Sequence, residues 1–386
     1  MTESFESLRR LFSDAGYAFV EPAIVQPASV FVELAGEDLR RRLFLTSAAD
    51  GTELALRPDY TIPVCLHHLA TGPAKRRANY AYLGPVFRQR RDQPGEFLQA
   101  GIESLGNGER IAADAETLRL AFAAAALLGV KRPSVRIGDS AIFGAALAGL
   151  DLDAPWRKRL ARTFGETERL TRLIARANGA AAPPATRSRS TIKREVAERL
   201  AATGLGTVGG RSADEIADRA MEKAALAAGI GARASKVLSE VLAVGGTPAQ
   251  SLKALGALAR REKLDMATAL DRFQRRIEAF VARGIDVDRL TFAADFGRRL
   301  DYYTGFVFEF HLPANRAVGP IVGGGRYDRL MALMPDARGT VSGETVPAVG
   351  FAMWLERFGA AGPPAGGRAP AKRASNAASS FTTAST

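Results

Sequence analysis

The chain has 386 residues, of which 47% are hydrophobic and 24% are charged, a composition that excludes a disordered protein and predicts two or three structural units. Its longest apolar stretch, residues 120–130, is about half of the roughly 20 residues that span a bilayer, and the acidic N-terminus lacks a secretory pattern, so we expect a cytoplasmic protein without membrane segments. The formal net charge of +12 favours polyanionic partners, but arginine pairs are scattered along the whole chain, which favours a composition bias over nucleic-acid binding.

The first predicted elements are a short helix and a strand. Phe5, Leu8 and Phe12 recur at helical spacing, and Gly16 is typical of the residue that ends such a helix. Residues 17–20 are then expected to be extended.

Two hairpins are predicted next. Residues 42–57 contain two extended runs around Asp50-Gly51, a dipeptide that readily adopts the positive φ angles of a hairpin turn. Residues 80–88 and 97–103 form a second pair of runs, separated by a polar loop. Both pairs indicate antiparallel sheet rather than a βαβ unit.

Helices dominate the middle of the chain. Residues 112–128 are typical of a helix, and residues 156–290 have an almost wholly helical pattern, which predicts a helical insertion. Strand character returns at residues 290–294 and 306–310. The glycine run at 323–325 then predicts the opening of a turn to Arg326-Tyr327-Asp328.

These elements predict an α+β fold in which an antiparallel sheet is built from both ends of the chain. We expect a core formed by residues 1–155 and 291–358, with the helical insertion at residues 156–290. Residues 359–386 are predicted to be a disordered tail, because their small and polar side chains cannot offset chain entropy.

The strand at residues 97–103 carries the first candidate binding residues. Gln99, Gly101 and Glu103 share one face because strand side chains alternate. Two polar groups beside a missing side chain predict a small ligand over Gly101, although a solvent-facing edge strand has the same pattern. Arg88, at the end of the partner strand, could hold a carboxylate or a phosphate through two parallel hydrogen bonds.

The sequence predicts neither a cofactor nor a metal. Cys65 is the single cysteine and cannot form an internal disulfide, and the three histidines have no cysteine cluster beside them. The glycine run at 323–325 lacks the Lys-Ser/Thr of a P-loop, and no GxGxxG spacing occurs there. Neither nucleotide-binding fingerprint therefore applies.

Six ordered motifs lie between residues 17 and 358. They are Leu56-Arg57-Pro58-Asp59-Tyr60-Thr61, Gly84-Pro85-Val86-Phe87-Arg88, Gln99-Ala100-Gly101-Ile102-Glu103, Arg298-Arg299-Leu300-Asp301-Tyr302-Tyr303-Thr304-Gly305, Gly324-Gly325-Arg326-Tyr327-Asp328 and Val349-Gly350-Phe351-Ala352-Met353-Trp354-Leu355-Glu356-Arg357. Together they resemble the catalytic core of histidyl-tRNA synthetases. The resemblance implies a class II synthetase fold, with a mainly antiparallel sheet flanked by helices and a helical insertion, assembled as a homodimer.

The resemblance also implies a histidine-binding pocket. Asp59, where synthetases commonly have Glu, would hold the α-amino group together with Thr61 and Gln99. Glu103 and Tyr303 would bond the imidazole nitrogens. The other implied pocket residues, which face the carboxylate or line the pocket, are Arg88, Arg298, Tyr302 and Tyr327.

The positions that correspond to the family's ATP site depart from its pattern, which implies a degenerate ATP site. Arg90 stands where the family has an acid that reads the adenine amino group, and Trp354 stands where a glycine leaves a floor for adenine. Arg357, a phosphate-binding arginine of the family, is retained. The tail lies where synthetases carry an anticodon-binding domain. We therefore expect no catalytic residue and no charging of transfer RNA.

A synthetase-like core with these losses is similar to the family of ATP phosphoribosyltransferase regulatory subunits. The resemblance implies a non-catalytic subunit, required for the activity of a short catalytic subunit and for its feedback inhibition by L-histidine in the first step of histidine biosynthesis. The family assembles as a hetero-octamer. The alternatives are a truncated histidyl-tRNA synthetase that activates histidine with ATP, a tRNA-binding paralogue, and an amino-acid-binding paralogue that serves another enzyme.

Overall fold

The strands of the protein form two sheets. The computed structural model describes residues 2–34, 37–91, 93–178, 188–202, 212–297, 303–334, 343 and 345–359. The strands are β1 (Ala18–Phe19), β2 (Val25–Pro27), β3 (Leu45–Ser47), β4 (Glu53–Leu56), β5 (Ala78–Phe87), β6 (Glu96–Leu105), β7 (Ser134–Asp139), β8 (Gly245–Gly246), β9 (Leu290–Ala293), β10 (Phe306–His311), β11 (Pro320–Arg326) and β12 (Ala348–Trp354).

The large sheet has the strand order β1-β5-β6-β12-β11-β10-β7-β9-β8, and the small sheet has the order β2-β4-β3. Neighbouring strands are antiparallel except for the pairs β1–β5 and β7–β9. The central strands come from residues 78–105 and from residues 306–354, so the two ends of the chain meet in one sheet. This arrangement confirms the predicted α+β class.

Helices flank the large sheet. Within the described ranges, none of them combines the length and the apolar character that crossing a membrane requires. The helices are α1 (Thr2–Asp14), α2 (Ala28–Leu34), α3 (Glu37–Arg40), α4 (Thr61–Ala70), α5 (Arg110–Leu127), α6 (Ser140–Ala148), α7 (Ala154–Thr163), α8 (Thr167–Asn178), α9 (Arg189–Ala202), α10 (Ala213–Ala228), α11 (Gly231–Leu242), α12 (Pro248–Glu262), α13 (Ala267–Ala282) and α14 (Leu355–Phe358).

The large sheet separates two apolar cores. One core packs Ile102 and Phe351 against α1 and α5. The other contains Tyr82, Phe97 and Trp354 together with α2 and α4. Because side chains alternate along β6, Gln99 and Glu103 lie on the second face, while Ile102 lies on the first. This alternation places the candidate binding residues on one side of the sheet.

Two glycine turns agree with the sequence prediction. Gly16 has φ +81° and follows α1, and Gly51 has φ +85° between β3 and β4. Neither position has a neighbour that a side chain would touch, so their backbone conformation alone favours glycine. The second predicted hairpin is also confirmed, because β5 and β6 are antiparallel along ten residue pairs.

The glycine run at 323–325 does not open the predicted turn, because the strand continues through Arg326 and the turn begins only at Asp328. These glycines lie within β11, between β10 and β12. A Cβ at Gly324 would lie 2.4 Å from the Gly350 carbonyl oxygen and 2.7 Å from Cζ of Phe308. The glycine run therefore exists because neighbouring strands and a phenylalanine ring crowd this strand, which is a packing requirement rather than a turn.

The middle of the chain packs closely against the sheet. Helices α7 to α13 occupy residues 154–282, with the short strand β8 inside this block. Phe280 of α13 contacts Phe306 of β10, with ring centroids 5.3 Å apart. The division into a core and a helical insertion stays a prediction. Apart from Gly359, the predicted tail lies outside the described residues.

Candidate functional site

A cavity of about 420 Å³ opens on the polar face of the large sheet. Among the predicted pocket residues that the structure describes, all contribute to its lining: Asp59, Thr61, Arg88, Gln99, Glu103, Tyr303 and Tyr327. Arg298 and Tyr302 lie outside the described residues. The ladder between β6 and β12 forms the floor of this cavity, which we call the pocket.

The register of that ladder explains the position of Glu103. Glu103 pairs with Gly350, and Gln99 pairs with Trp354. Directly paired residues of an antiparallel ladder point to the same side. A Cβ at Gly350 would lie 1.8 Å from Oε2 of Glu103. The glycine therefore provides the space in which the carboxyl group lies.

Glu103 is held by three hydroxyl groups. Thr61 Oγ1 donates to Glu103 Oε1 at 2.8 Å, and the Tyr82 hydroxyl lies 3.5 Å from the same oxygen. The Tyr327 hydroxyl donates to Oε2. The residue is only 1% exposed, and this burial raises the pKa of Glu103 from its ordinary 4.5 to about 8. Near neutral pH the pocket therefore contains a carboxyl group that can carry or release a proton.

Asp59 and Arg88 form a second polar pair in the pocket. Asp59 lies between β4 and α4, where the backbone N–H of Ile62 donates to its Oδ1 at 3.4 Å. Burial raises the pKa of Asp59, and the nearby Arg88 guanidinium opposes that shift. Arg88 Nε donates to the Pro58 carbonyl oxygen at 2.7 Å, which fixes the guanidinium beside the carboxylate. The pocket thus places a carboxyl group and a guanidinium group close together.

Gln99 carries a strong indication of a ligand. Its side chain is fully buried, and neither amide atom has a hydrogen-bond partner among the described residues. Leaving a buried polar group unpaired costs on the order of 1–3 kcal/mol. Since Gln99 lines the pocket, a ligand with both a donor and an acceptor would satisfy it.

The space above Gly101 is occupied by protein, so the sequence expectation of a ligand there is wrong. A Cβ at Gly101 would lie 2.4 Å from the Tyr82 hydroxyl and 2.1 Å from the Phe351 carbonyl oxygen. Tyr82 pairs with Gly101 across the β5–β6 ladder. The glycine accommodates the tyrosine that approaches Glu103, and the ligand space lies to the side of it.

The residues of the expected degenerate ATP site include an aromatic ring and two arginines that are engaged with other groups of the protein. Trp354 lines the pocket and is 6% exposed. The Arg357 guanidinium lies 4.9 Å from the indole centroid and donates to the Pro320 carbonyl oxygen at 2.6 Å. Arg90 pairs with Glu356 at 2.7 Å. These arginines are engaged with protein groups beside the indole.

The pocket extends further than the sequence indicated. Its far end is lined by Arg136 of β7 and Glu309 of β10, which lie opposite each other in the ladder. Arg136 also pairs with Asp295 at 2.7 Å. Glu309 is the single acid within the aromatic strand 306–310, and this was the available sequence signal that its side chain has a function. No spacing pattern connects residues so far apart in the chain.

A buried ionic cluster lies behind Tyr327 and was also missed. Arg326 Nη2 donates to Asp114 Oδ1 at 2.6 Å, and Arg276 Nε donates to Asp114 Oδ2 at 2.9 Å. Arg276 Nη1 donates to Asp139 at 2.6 Å. The cluster joins α5, α13, β7 and β11. Arg326 of the cluster directly precedes the pocket residue Tyr327. The cluster therefore connects the pocket to the helices on the other face of the sheet.

The overall fold is similar to a solved structure described as an ATP phosphoribosyltransferase regulatory subunit/histidyl-tRNA synthetase from Bacillus halodurans. The TM-score is 0.64 at 21% sequence identity, and the match covers 93% of this chain and 78% of that one. The chain also matches the family described as histidyl-tRNA synthetase over residues 1–203 and 210–358. These matches confirm the predicted class II synthetase-like fold.

Relatives named ATP phosphoribosyltransferase regulatory subunit match nearly the whole chain. The relative from Rhizobium rhizogenes is 41% identical over 355 residues, covering 88% of this chain and 92% of the relative. The relative from Brucella anthropi is 38% identical over 366 residues, covering 92% and 96%. The chain therefore belongs to the family of ATP phosphoribosyltransferase regulatory subunits, which confirms the predicted resemblance.

Proposed function

We propose that the protein is a non-catalytic, histidine-sensing regulatory subunit. It binds a short catalytic ATP phosphoribosyltransferase, is required for its activity, and transmits feedback inhibition by L-histidine in the first step of histidine biosynthesis. The observation that carries this proposal is the unpaired, buried amide of Gln99 in a pocket whose nucleotide end is closed by Trp354. The family membership supports the same role.

The charges of the pocket match those of free histidine. Asp59, Thr61 and Gln99 hold the α-ammonium group, and Arg88 faces the carboxylate. The carboxyl group of Glu103 forms a hydrogen bond with a nitrogen of the imidazole ring. The remaining contacts to the ligand come from Tyr303 and Tyr327. Arg298 and Tyr302, which the resemblance implies in the same pocket, lie outside the described residues.

The closed nucleotide end argues for a sensor rather than an enzyme. Adenine needs a flat open surface, whereas the indole of Trp354 lines this end of the pocket. Arg90 stands where the resemblance expects an acid, and its charge is compensated by Glu356. The chain contributes binding and conformational change, with no covalent step of its own.

Feedback inhibition requires that histidine binds two states of the assembly with different affinity. Tyr327 contacts Glu103 in the pocket, and the preceding Arg326 bonds to Asp114 of α5. A ligand that changes the position of Glu103 would therefore also change that of Tyr327, which follows Arg326 of the ionic cluster in the chain. This connection supports a route from the pocket to the helices.

The protein acts in the cytoplasm within a hetero-octamer, in which two copies of this chain form a dimer.

An apolar side of the small sheet supports the dimer. Val25 pairs with Leu56, and Pro27 pairs with Leu54, so these four side chains share one face. Val25 is 45% exposed. A second copy of the chain would cover this face.

Replacing Val25 and Leu54 by Glu is expected to raise the dimer dissociation constant by roughly a hundredfold, because two carboxylates would be buried in an apolar interface. Sedimentation velocity over a range of concentrations measures this constant. Leu127→Glu is the matched control, since Leu127 is also 45% exposed but lies on α5. An unchanged constant in the double variant would place the dimer interface elsewhere.

The activating role is tested with the purified chain and a short-form catalytic phosphoribosyltransferase. Product formation is expected only when both proteins are present, and it should fall as histidine is added. In Gln99→Ala, activation should persist while the histidine concentration for half inhibition rises about tenfold or more. Gln274→Ala removes an exposed amide on α13 and should behave like the wild type.

Two results would contradict the proposal. If the wild-type chain fails to activate the catalytic subunit, the regulatory assignment is wrong. If it exchanges pyrophosphate into ATP when histidine is added, the chain is a truncated synthetase. Inhibition of the Gln99→Ala complex at wild-type histidine concentrations would keep the assignment and move the sensing site, for example to the subunit interface.

A further inference from the structure

A second cavity, of about 230 Å³, includes Val135 and Ile285 of the first core, whereas Ala55 of the small sheet packs in the second core, across the large sheet. It is formed by the outer side of α5, the segment that leads into β7, and the residues that follow α13. Its floor is apolar and includes Phe122, Val135 and Ile285. Its charged lining residues are Arg119, Lys131, Arg132, Arg283, Arg289 and Asp286. We call this cavity the basic cavity.

Two of its arginines are held in place by one carboxylate. Arg119 donates to Glu116 through Nη2 at 2.6 Å and through Nε at 3.0 Å. Arg283 Nε donates to the same carboxylate at 3.2 Å. The Arg119 guanidinium, and Arg283 to a smaller extent, lower the pKa of Glu116. Because their orientation is already fixed, these guanidinium groups lose less side-chain entropy when an anion binds their remaining N–H groups.

The other three cations of the basic cavity are available to a partner. Lys131, Arg132 and Arg289 are exposed, and no ion pair joins them to any residue that the structure describes. They surround an apolar floor. An acidic side chain that enters such a cavity can pack its aliphatic part on the floor and place its carboxylate beside the cations. An extended nucleic acid would instead need a stripe of cations spaced along its phosphates. The concentration of charge around one small cavity favours a protein surface.

We propose that the basic cavity docks an acidic surface of the catalytic phosphoribosyltransferase, an inference that rests on the proposed function. The position of the cavity fits this role. The small sheet packs, through Ala55, in the core across the large sheet from the basic cavity, so a dimer formed on the small sheet would leave the basic cavity open. One chain can therefore contact a second copy and a catalytic subunit at the same time.

The helices beside the basic cavity also lead to the histidine pocket. Helix α5 carries Arg119 and, further toward its N-terminus, Asp114 of the ionic cluster. Helix α13 carries Arg276 of the cluster and is followed directly by Arg283. A docked subunit that shifts either helix acts on the ion pairs that hold Arg326. Docking at the basic cavity would thus change the position of Tyr327 in the pocket.

The test reverses three charges of the basic cavity in the full-length chain. Lys131→Glu, Arg132→Glu and Arg289→Glu together should weaken association with the catalytic subunit by about a hundredfold at low salt, because attraction becomes repulsion. The control reverses Lys158, Arg162 and Arg172, which are exposed on α7 and α8. It changes the net charge equally and should leave association within about threefold of wild type.

Association is measured by titrating each variant against the catalytic subunit and following activation at several salt concentrations. Histidine binding by calorimetry, expected to be unchanged, shows that the charge-reversed chain is folded. Equal losses in both variants would assign the effect to net charge and overturn the proposal, as would full association of the first variant. If only transfer RNA binding responds, the cavity binds nucleic acid. A wild-type chain that never activates would reject the proposed function as well.

Discussion

Asp114→Asn is expected to lower the free energy of unfolding by about 3–5 kcal/mol, because it leaves two buried guanidinium groups without their shared carboxylate. Asp114 is fully buried and accepts hydrogen bonds from Arg326 and Arg276. The amide keeps the shape of the side chain and removes its charge. The measurement is urea unfolding at a fixed protein concentration, since association with a second copy would shift the midpoint.

The matched control is Asp271→Asn. Asp271 pairs with Arg275 one helical turn away, at 3.0 Å, on the exposed side of α13. An exposed pair of this kind contributes about 0.3–0.5 kcal/mol, so the control should change the free energy of unfolding by no more than that. If the two substitutions had similar effects, the buried cluster would not stabilise the fold, and its proposed link between pocket and helices would lose its basis.

Glu103→Gln is expected to weaken histidine binding by roughly ten- to a hundredfold, as one charge-assisted hydrogen bond to the imidazole is lost. Thr61 and Tyr327 donate to different oxygens of the carboxylate, so the amide oxygen can accept from one of these hydroxyl groups, while the amide NH2 can donate to the oxygen of the other. Isothermal titration calorimetry measures the affinity. A variant with wild-type affinity would show that the imidazole does not contact this residue.

The pH dependence of binding gives a sharper test of the same residue. In the proposed complex, Glu103 and the imidazole would share one proton. Free Glu103 has a pKa of about 8, and a free imidazole has a pKa of about 6.5. Between these values the unbound partners also hold one proton, so affinity should be constant. It should fall below pH 6.5, where a proton must leave, and above pH 8, where one must be taken up. In Glu103→Gln the decline that begins near pH 8 should disappear.

The stability of the ligand-free protein checks the titration independently. The pKa of Glu103 in the folded state lies above its ordinary 4.5, so folding favours the protonated carboxyl group. Its contribution is therefore fully present below pH 4.5 and is lost as the pH rises to about 8. Glu103→Gln should lack this loss. An identical dependence in both proteins would mean that another group titrates.

Local sequence patterns predicted the elements whose conformation depends on neighbouring residues. The hairpin turn at Gly51 and the helix end at Gly16 need only a backbone that tolerates positive φ, which glycine provides. The alternation of Gln99 and Glu103 placed both on one face of β6, as observed. The resemblance to synthetases supplied the pocket residues, and those that the structure describes do line one cavity.

Contacts between distant segments were decided by the tertiary structure alone. The glycines at 323–325 read as a turn because local sequence does not reveal that Phe308 and Gly350 crowd them within a sheet. The space above Gly101 belongs to Tyr82, which only the β5–β6 register establishes. Asp114 meets its arginines across more than 160 residues of chain. Charge pairs of this kind have no period or spacing in the sequence, since their geometry is set by how α5 and α13 pack on the sheet.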